Sequence, residues 1–318
     1  MAAPSPPPAI GPAETYGYLT RKEADMAFKR RAWTIFEWLG DTDGQTILDC
    51  GCGRGFYLKM LRHLGTARLF GVDLELPYLR KARRNTADLP AVLVGNASIY
   101  DLPFPDATFD AVLLSEILEH VERDVDALRE VRRVLKPGGL ALLTVPHADY
   151  PFWWDPINKT LETLFGTHIG RGPLAGIWAF HVRLYEPEEL CQAALAAGFQ
   201  VEEERSFTHH AFPFVHNLLY GLGKPLLESG LFGRGLADVA DRGSFDRDGG
   251  SSLHPVTLGL KLLNWIDRRN RMNEPAGRST VNLCLKARKG ASQSVFGKFG
   301  RDAHLRPGIN ARARNDAG

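Results

Sequence analysis

Cysteine is scarce: four residues in 318, Cys50, Cys52, Cys191 and Cys284. They are too few for a disulfide-stapled secreted scaffold and have no zinc spacing, so a reducing, cytoplasmic setting is the expectation. Charge of one sign is also missing. The chain balances 39 Lys and Arg against 37 Asp and Glu, a net +2, too even to expect a nucleic-acid partner. The surplus sits in residues 287–318, at +5, which leaves residues 1–286 at −3. No apolar run approaches the roughly 20 residues that span a bilayer, which excludes a transmembrane chain and leaves peripheral membrane contact open. Residues Met1 to Pro12 lack the basic start and apolar stretch of a signal peptide, and 1–13 is expected to be a disordered lead-in. No internal repeat is visible, and the length suggests about two domain-sized units.

What the chain does have is alternation. Leu19, Met26, Trp33, Phe36 and Leu39 recur at near-helical intervals, giving an amino-terminal helical cap over 14–44. A strand at Thr46 to Cys50 runs through a glycine turn into a helix at Phe56 to Leu64. Strands follow at Ala67 to Val72, Ala91 to Val94, Phe109 to Leu114 and Leu140 to Val145, with helices at Pro77 to Asn85 and Val125 to Leu135. Lys136-Pro137-Gly138-Gly139 is expected to stop the second of these helices. A helix at Pro187 to Ala197, a strand at Phe199 to Glu204 and a strand at Thr280 to Lys286 complete the series. This order predicts an α/β fold, a Rossmann-like doubly wound, mostly parallel sheet with helices on both faces. The core is expected over 45–206 with an insertion at 147–185, then a cap at 207–278, a closing strand at 279–289 and a disordered basic tail at 290–318. Both insertions are aromatic-rich and far longer than the usual connection of about 4 to 6 residues, so both are expected to be functional.

The glycine turn carries the first chemistry. Asp49, then Gly51-x-Gly53-x-Gly55, brings a ligand close to backbone amides and to the free N–H groups of the next helix. Dinucleotide sites use the looser Gly-x-Gly-x-x-Gly and tolerate a pyrophosphate. Here the spacing is one residue tighter, and Asp49 would repel a diphosphate but suits a cationic ligand. Asp73, ending the second strand, is placed to accept both hydroxyls of a ribose.

These residues, together with Gly71-Val72-Asp73, Asp101-Leu102-Pro103-Phe104, Phe109-Asp110-Ala111-Val112, Leu118-Glu119-His120-Val121 and Leu135-Lys136-Pro137-Gly138-Gly139, resemble the class I S-adenosylmethionine (SAM) dependent methyltransferases, type 11. The likeness covers roughly 45–146 and continues loosely through His181 to Tyr185 and Pro187 to Phe199. It implies SAM as cofactor. Asp49, Gly51, Cys52, Gly53 and Gly55 would hold its methionine part, and Asp73 and Leu74 its ribose. Asn96 and Ala97 would flank the adenine, and Ser115, Glu116 and Ile117 would lie beside the cofactor. Many relatives have Asp where Asn96 stands; the Asn carbonyl still accepts a hydrogen bond, without charge.

Methyl transfer needs alignment and, for oxygen or nitrogen acceptors, a base. The candidates are His147, just beyond the fifth strand and the first choice, His181, and His120 after the fourth strand, which also reads as a cap or packing group at the start of the next helix. No metal site is expected: Cys50 and Cys52 suit small turn fillers, and His209-His210 lacks a third ligand. Asp155-Pro156 stands in the wrong place for the signature of a DNA amino-methyltransferase. Aromatics from Phe152 to Phe180 and from Phe207 to Phe232 could wall an apolar pocket or form a helical core. Residues Pro213 to Phe232 carry little charge and could rest on a membrane. The function expected is O-methylation of a small molecule, with C-methylation of a quinone- or lipid-like acceptor as the alternative and a non-catalytic SAM-binding protein as the second. Nothing in the sequence sets the oligomeric state.

Overall fold

A computed structural model describes residues 16–17, 20, 23, 25–212, 214 and 255–290. Helix α1, Met26–Leu39, starts where the Asp25 carboxylate accepts the Phe28 N–H and ends at Gly40, in the left-handed region with φ 63°. The first strand–turn–helix unit follows, β1 (Thr46–Cys50) and α2 (Phe56–Leu64), within the bounds its pattern predicts. The chain continues through β2 (Arg68–Asp73), α3 (Leu76–Asn85), β3 (Val92–Asn96), β4 (Phe109–Ser115) and α4 (Asp124–Val134). Then come β5 (Leu135–Pro146), α5 (Pro156–Phe165), α6 (Pro187–Ala196), β6 (Phe199–Phe207), α7 (Pro255–Asp267) and β7 (Asn282–Lys289).

The seven strands form one sheet in the order β3-β2-β1-β4-β5-β7-β6. All ladders are parallel except those of β7, which is antiparallel to both β5 and β6. The reason is topological. β6 delivers the chain to the end of the sheet where the parallel strands finish, and β7 starts from that same end, so it runs against both neighbours.

Period-two alternation splits the core between the two faces. Leu48, Val112, Leu114, Leu143 and Leu285 pack with Leu128 and Val131 of α4 and Leu190 of α6. Ile47, Ala111, Leu113, Leu142 and Cys284 pack on the other face with Ile35 of α1, Leu58 and Leu61 of α2, and Leu79 of α3. Each fully buried aliphatic side chain of this kind contributes about 1.5–3 kcal/mol, so the three-layer arrangement stabilises every crossover.

One boundary departs from the sequence expectation in an informative way. Lys136 to Gly139 does not lie outside the sheet as a turn but opens β5: Leu135 pairs with Phe109, and the register shifts between Phe109 and Ala111. Gly139 permits this, because a Cβ there would stand 3.0 Å from the Asp110 carbonyl oxygen. β6 also outruns its expected end, reaching Phe207. Its polar side chains pair sideways, Glu202 with Lys286 at 3.5 Å and Arg205 with Glu37 at 3.0 Å.

The segment after β5 is built on Asp155, a fully buried residue that caps α5. Its carboxylate accepts the Ile177 N–H at 3.0 Å and the Asn158 amide at 2.8 Å. Asp155-Pro156 is therefore a structural hub. Tyr150, Trp154, Ile177 and Leu184 form a third small core with Ala27 of α1 and Val281. Helix α7 is tied to α1 by the Arg30–Asp267 ion pair and by Lys29 Nζ donating to Asn264 at 2.8 Å. Among the described residues no helix is long and apolar enough to cross a membrane. The lead-in at 1–13, most of the membrane-contact segment 213–232 and the tail beyond 290 lie outside the described residues.

Candidate functional site

The end of the sheet where β1, β2, β3 and β4 finish is organised around the glycine turn. Gly51 and Cys52 donate their N–H groups to the Val72 carbonyl at 2.7 and 2.9 Å, closing the turn on β2. Gly51 (φ 81°), Gly53 (φ 53°) and Gly55 (φ 80°) all occupy the left-handed region. At Gly51 the fit is steric as well, since a Cβ would fall 2.0 Å from Cδ1 of Ile117. At Gly53 a Cβ would meet nothing within 4 Å, so this backbone faces open space. Cys52 is buried and its thiol is pushed far up by burial; it fills the turn and takes no nucleophilic role.

Two carboxylates flank the turn, and their surroundings differ. Asp73 Oδ2 accepts the Gly53 N–H at 2.8 Å and Oδ1 accepts the Glu75 N–H at 2.8 Å, so its orientation is held by two loops. Asp49 is 1% exposed, its Oδ2 has no hydrogen-bond partner, and burial, with a smaller push from Asp73, raises its pKa to about 8. A buried acid without a cation or donor is costly. Asn96 turns its amide inward, donating to the carbonyls of Asp73 at 2.8 Å and Leu74 at 3.0 Å, and so braces the loop that carries Asp73. The Ala97 N–H adds a long bond to the Asp73 carbonyl at 3.4 Å. Leu74 is 67% exposed beside them.

At the end of β4, Ser115 Oγ lies 3.0 Å from both Tyr57 Oη and Thr144 Oγ1, and Thr144 donates to Glu116 Oε1 at 3.0 Å. Glu116 sits at φ 57°, a conformation uncommon for a residue with a Cβ. Its second oxygen lies 3.1 Å from Arg31 of α1. The amino-terminal helix thus reaches the end of β4 through this ion pair and packs Phe28 on Phe56 beside the glycine turn.

The histidines divide in two. His147 is 5% exposed, with Nδ1 2.8 Å from Thr280 Oγ1 and Nε2 3.4 Å from Glu186. Both ring nitrogens are engaged between β5, β7 and α6, and burial lowers its pKa. His181 instead stacks edge-on against His120 with ring centroids 4.7 Å apart, and the Nε2 of each is 3.9 Å from Glu119 Oε1. Sequence reasoning named His120 and His181 separately as candidate bases and missed Glu119, Arg31 and Tyr57. The one available signal was an acid beside a histidine in an otherwise apolar stretch.

Further along the same end, Phe152, Trp153, His209, His210, Trp265 and Arg269 line a cavity of about 530 Å³. It lies where the chain leaves β5 and β6 and enters β7.

The donor set can be tested against SAM. An unpaired buried acid suits an ammonium or sulfonium, open backbone at Gly53 suits close approach, and a fixed carboxylate at the end of β2 suits a diol; the residues fit. Residues 48–143 match the family described as Methyltransferase domain. The chain carries a class I SAM-dependent methyltransferase domain. A protein of Mycolicibacterium smegmatis named "Probable S-adenosylmethionine-dependent methyltransferase" is 28% identical, over 53% of this chain and 57% of its own length. The "2-phytyl-1,4-naphtoquinone methyltransferase" of Trichormus variabilis is 35% identical, over 36% of this chain and 53% of its own. The "Fatty-acid O-methyltransferase" of Mycolicibacterium smegmatis is 42% identical, over 36% of this chain and 42% of its own. This chain therefore spans about half the length of these curated relatives, and the likeness lies in the domain. The solved structure of the cyclase SpnF shares the fold, with a TM-score of 0.50 at 18% identity, over 87% of this chain and 94% of that one.

Proposed function

We propose that the chain transfers the methyl group of SAM to an oxygen of a small, apolar or lipid-like acceptor. The observation that carries the reading is Asp49 Oδ2, buried without a hydrogen-bond partner beside the glycine turn, at the end of the sheet where the aromatic cavity also opens. When bound, SAM supplies an electrophilic methyl on sulfonium. The glycine turn, Asp49 and Asp73 would hold it for transfer of that methyl to the acceptor oxygen, the sulfur keeping the electron pair of the broken S–C bond. A hydroxyl acceptor also loses its proton. The Glu119, His120 and His181 cluster is better placed to direct that proton than His147, whose nitrogens are engaged. Trp153, Trp265 and Phe152 would bury the apolar part of the acceptor, and Arg269 at the rim would meet an acidic head.

The test is mass spectrometry after incubation with methyl-deuterated SAM and a panel of fatty acids, phenols and naphthoquinones. Label on an ester or ether oxygen supports the reading. Label on a ring carbon supports the second reading, C-methylation of a quinone-like acceptor, which rests on the naphthoquinone relative. SAM binding without acceptor-dependent demethylation of SAM favours a non-catalytic protein.

A further inference from the structure

Among the described residues, Glu119 is an acid buried without a hydrogen-bonded counter-ion. It is 0% exposed, and neither carboxylate oxygen has a hydrogen-bond partner. Such a group is stable only beside a proton or a cation. The side chains nearest its carboxylate are two imidazoles, His120 and His181, each with Nε2 3.9 Å from the same oxygen, while the Arg31 guanidinium and the Glu116 carboxylate act on it from farther off.

Their arrangement is that of ligands. Nδ1 of His120 lies 3.0 Å from the Phe180 carbonyl, to which only a protonated nitrogen can donate; this leaves a lone pair on Nε2. The Val182 N–H donates to the Glu119 carbonyl at 2.8 Å and holds the segment bearing His181 against the end of β4. One ligand atom from each residue falls within 4.8 Å of the others. Metal–ligand bonds of about 2.0–2.2 Å place ligand atoms about 3–4 Å apart, so an inward shift of under ~1 Å closes the set.

We propose that Glu119, His120 and His181 bind a divalent first-row transition metal of the zinc type. Two imidazoles and one carboxylate suit zinc better than magnesium or calcium, which take oxygen ligands. Three protein ligands leave a position for water or for an acceptor oxygen, and His120, on the solvent side, borders it. The site goes beyond the proposed methyl transfer and does not depend on it.

The test is metal binding by the full chain, free of SAM and acceptor. Dialysis against micromolar zinc chloride followed by elemental analysis should give one zinc per chain. Cobalt(II) should occupy the same site and give visible d–d bands of a four- or five-coordinate ion. His181→Ala and Glu119→Gln should each weaken zinc binding 10-fold or more and abolish the bands, while His147→Gln leaves both unchanged. Circular dichroism and SAM titration report whether each variant is folded. No bound zinc in the wild type, or zinc retained in full by folded His181→Ala, overturns the proposal. Should Glu119→Gln fail to fold, His120→Ala and His181→Ala carry the test.

Discussion

Asp49→Asn separates binding from stability in a way few substitutions do. The carboxyl is carried from an ordinary value of 3.8 to about 8 by burial first and by Asp73 second. Each tenfold change in proton affinity is worth about 1.4 kcal/mol. With the folded value above the unfolded one, the folded chain binds the extra proton between about pH 4 and pH 8, so stability falls as pH rises through that window. The full displacement corresponds to about 6 kcal/mol at pH 8, a ceiling that water entering the site reduces; ~2 kcal/mol is the expected gain for the neutral amide. That raises Tm by about 2–4 °C in a chain of this size. The gain should vanish below pH 4, where both states of the wild type are protonated. SAM binding should move the other way, because a ligand cation beside Asp49 favours its ionised form. Titration calorimetry in two buffers of different ionisation enthalpy should therefore show about one proton released per SAM bound near pH 7 by the wild type, and none by Asp49→Asn, whose affinity should fall at least 10-fold. A variant less stable than wild type at pH 8, or equal proton release by both, would refute the reasoning.

Asp73→Ala should abolish measurable SAM binding in the same calorimeter, since the carboxylate is held at the turn by the Gly53 and Glu75 N–H groups; unchanged affinity removes it from the site. Gly51→Ala should destabilise by about 2–4 kcal/mol in urea titration, the sum of a left-handed backbone and a Cβ driven into Ile117; Gly51→Ala with Ile117→Ala should recover more than half. His147→Gln should retain turnover and lose about 1–3 kcal/mol of stability with its buried hydrogen bonds. In the wild type the lowered pKa of His147 makes stability rise with pH up to about 6.5 and fall away below it. Loss of turnover by a fully stable His147→Gln chain would return the base to that residue.

The strand–glycine turn–helix unit was legible to the residue because its causes are local: Ile47, Leu48 and Cys50 are apolar around Asp49, and Gly51, Gly53 and Gly55 take positive φ without the cost that a Cβ brings. The bulged opening of β5 was not legible, because Lys136-Pro137-Gly138-Gly139 has turn composition and only the neighbouring Asp110 backbone shows why Gly139 must lie in the sheet. The direction of β7 was equally hidden. Its alternation specifies a strand, whereas its antiparallel sense comes from where β6 leaves the chain. Asp155-Pro156 looked like a misplaced catalytic signature until Ile177 and Asn158 were found on its carboxylate.

By itself the sequence determined the parallel part of the sheet and the cofactor class, because a tight glycine turn and an acid at the end of the next strand need only short-range geometry. The tertiary structure decided which histidines stand together. His147 ranked ahead of His181 on its place beyond the fifth strand, yet it is enclosed by Thr280 and Glu186, 133 and 39 residues away in the chain, and His181 meets His120 and Glu119 instead. Chemistry that depends on side chains from distant segments has no local pattern, and folding alone brings it into one place.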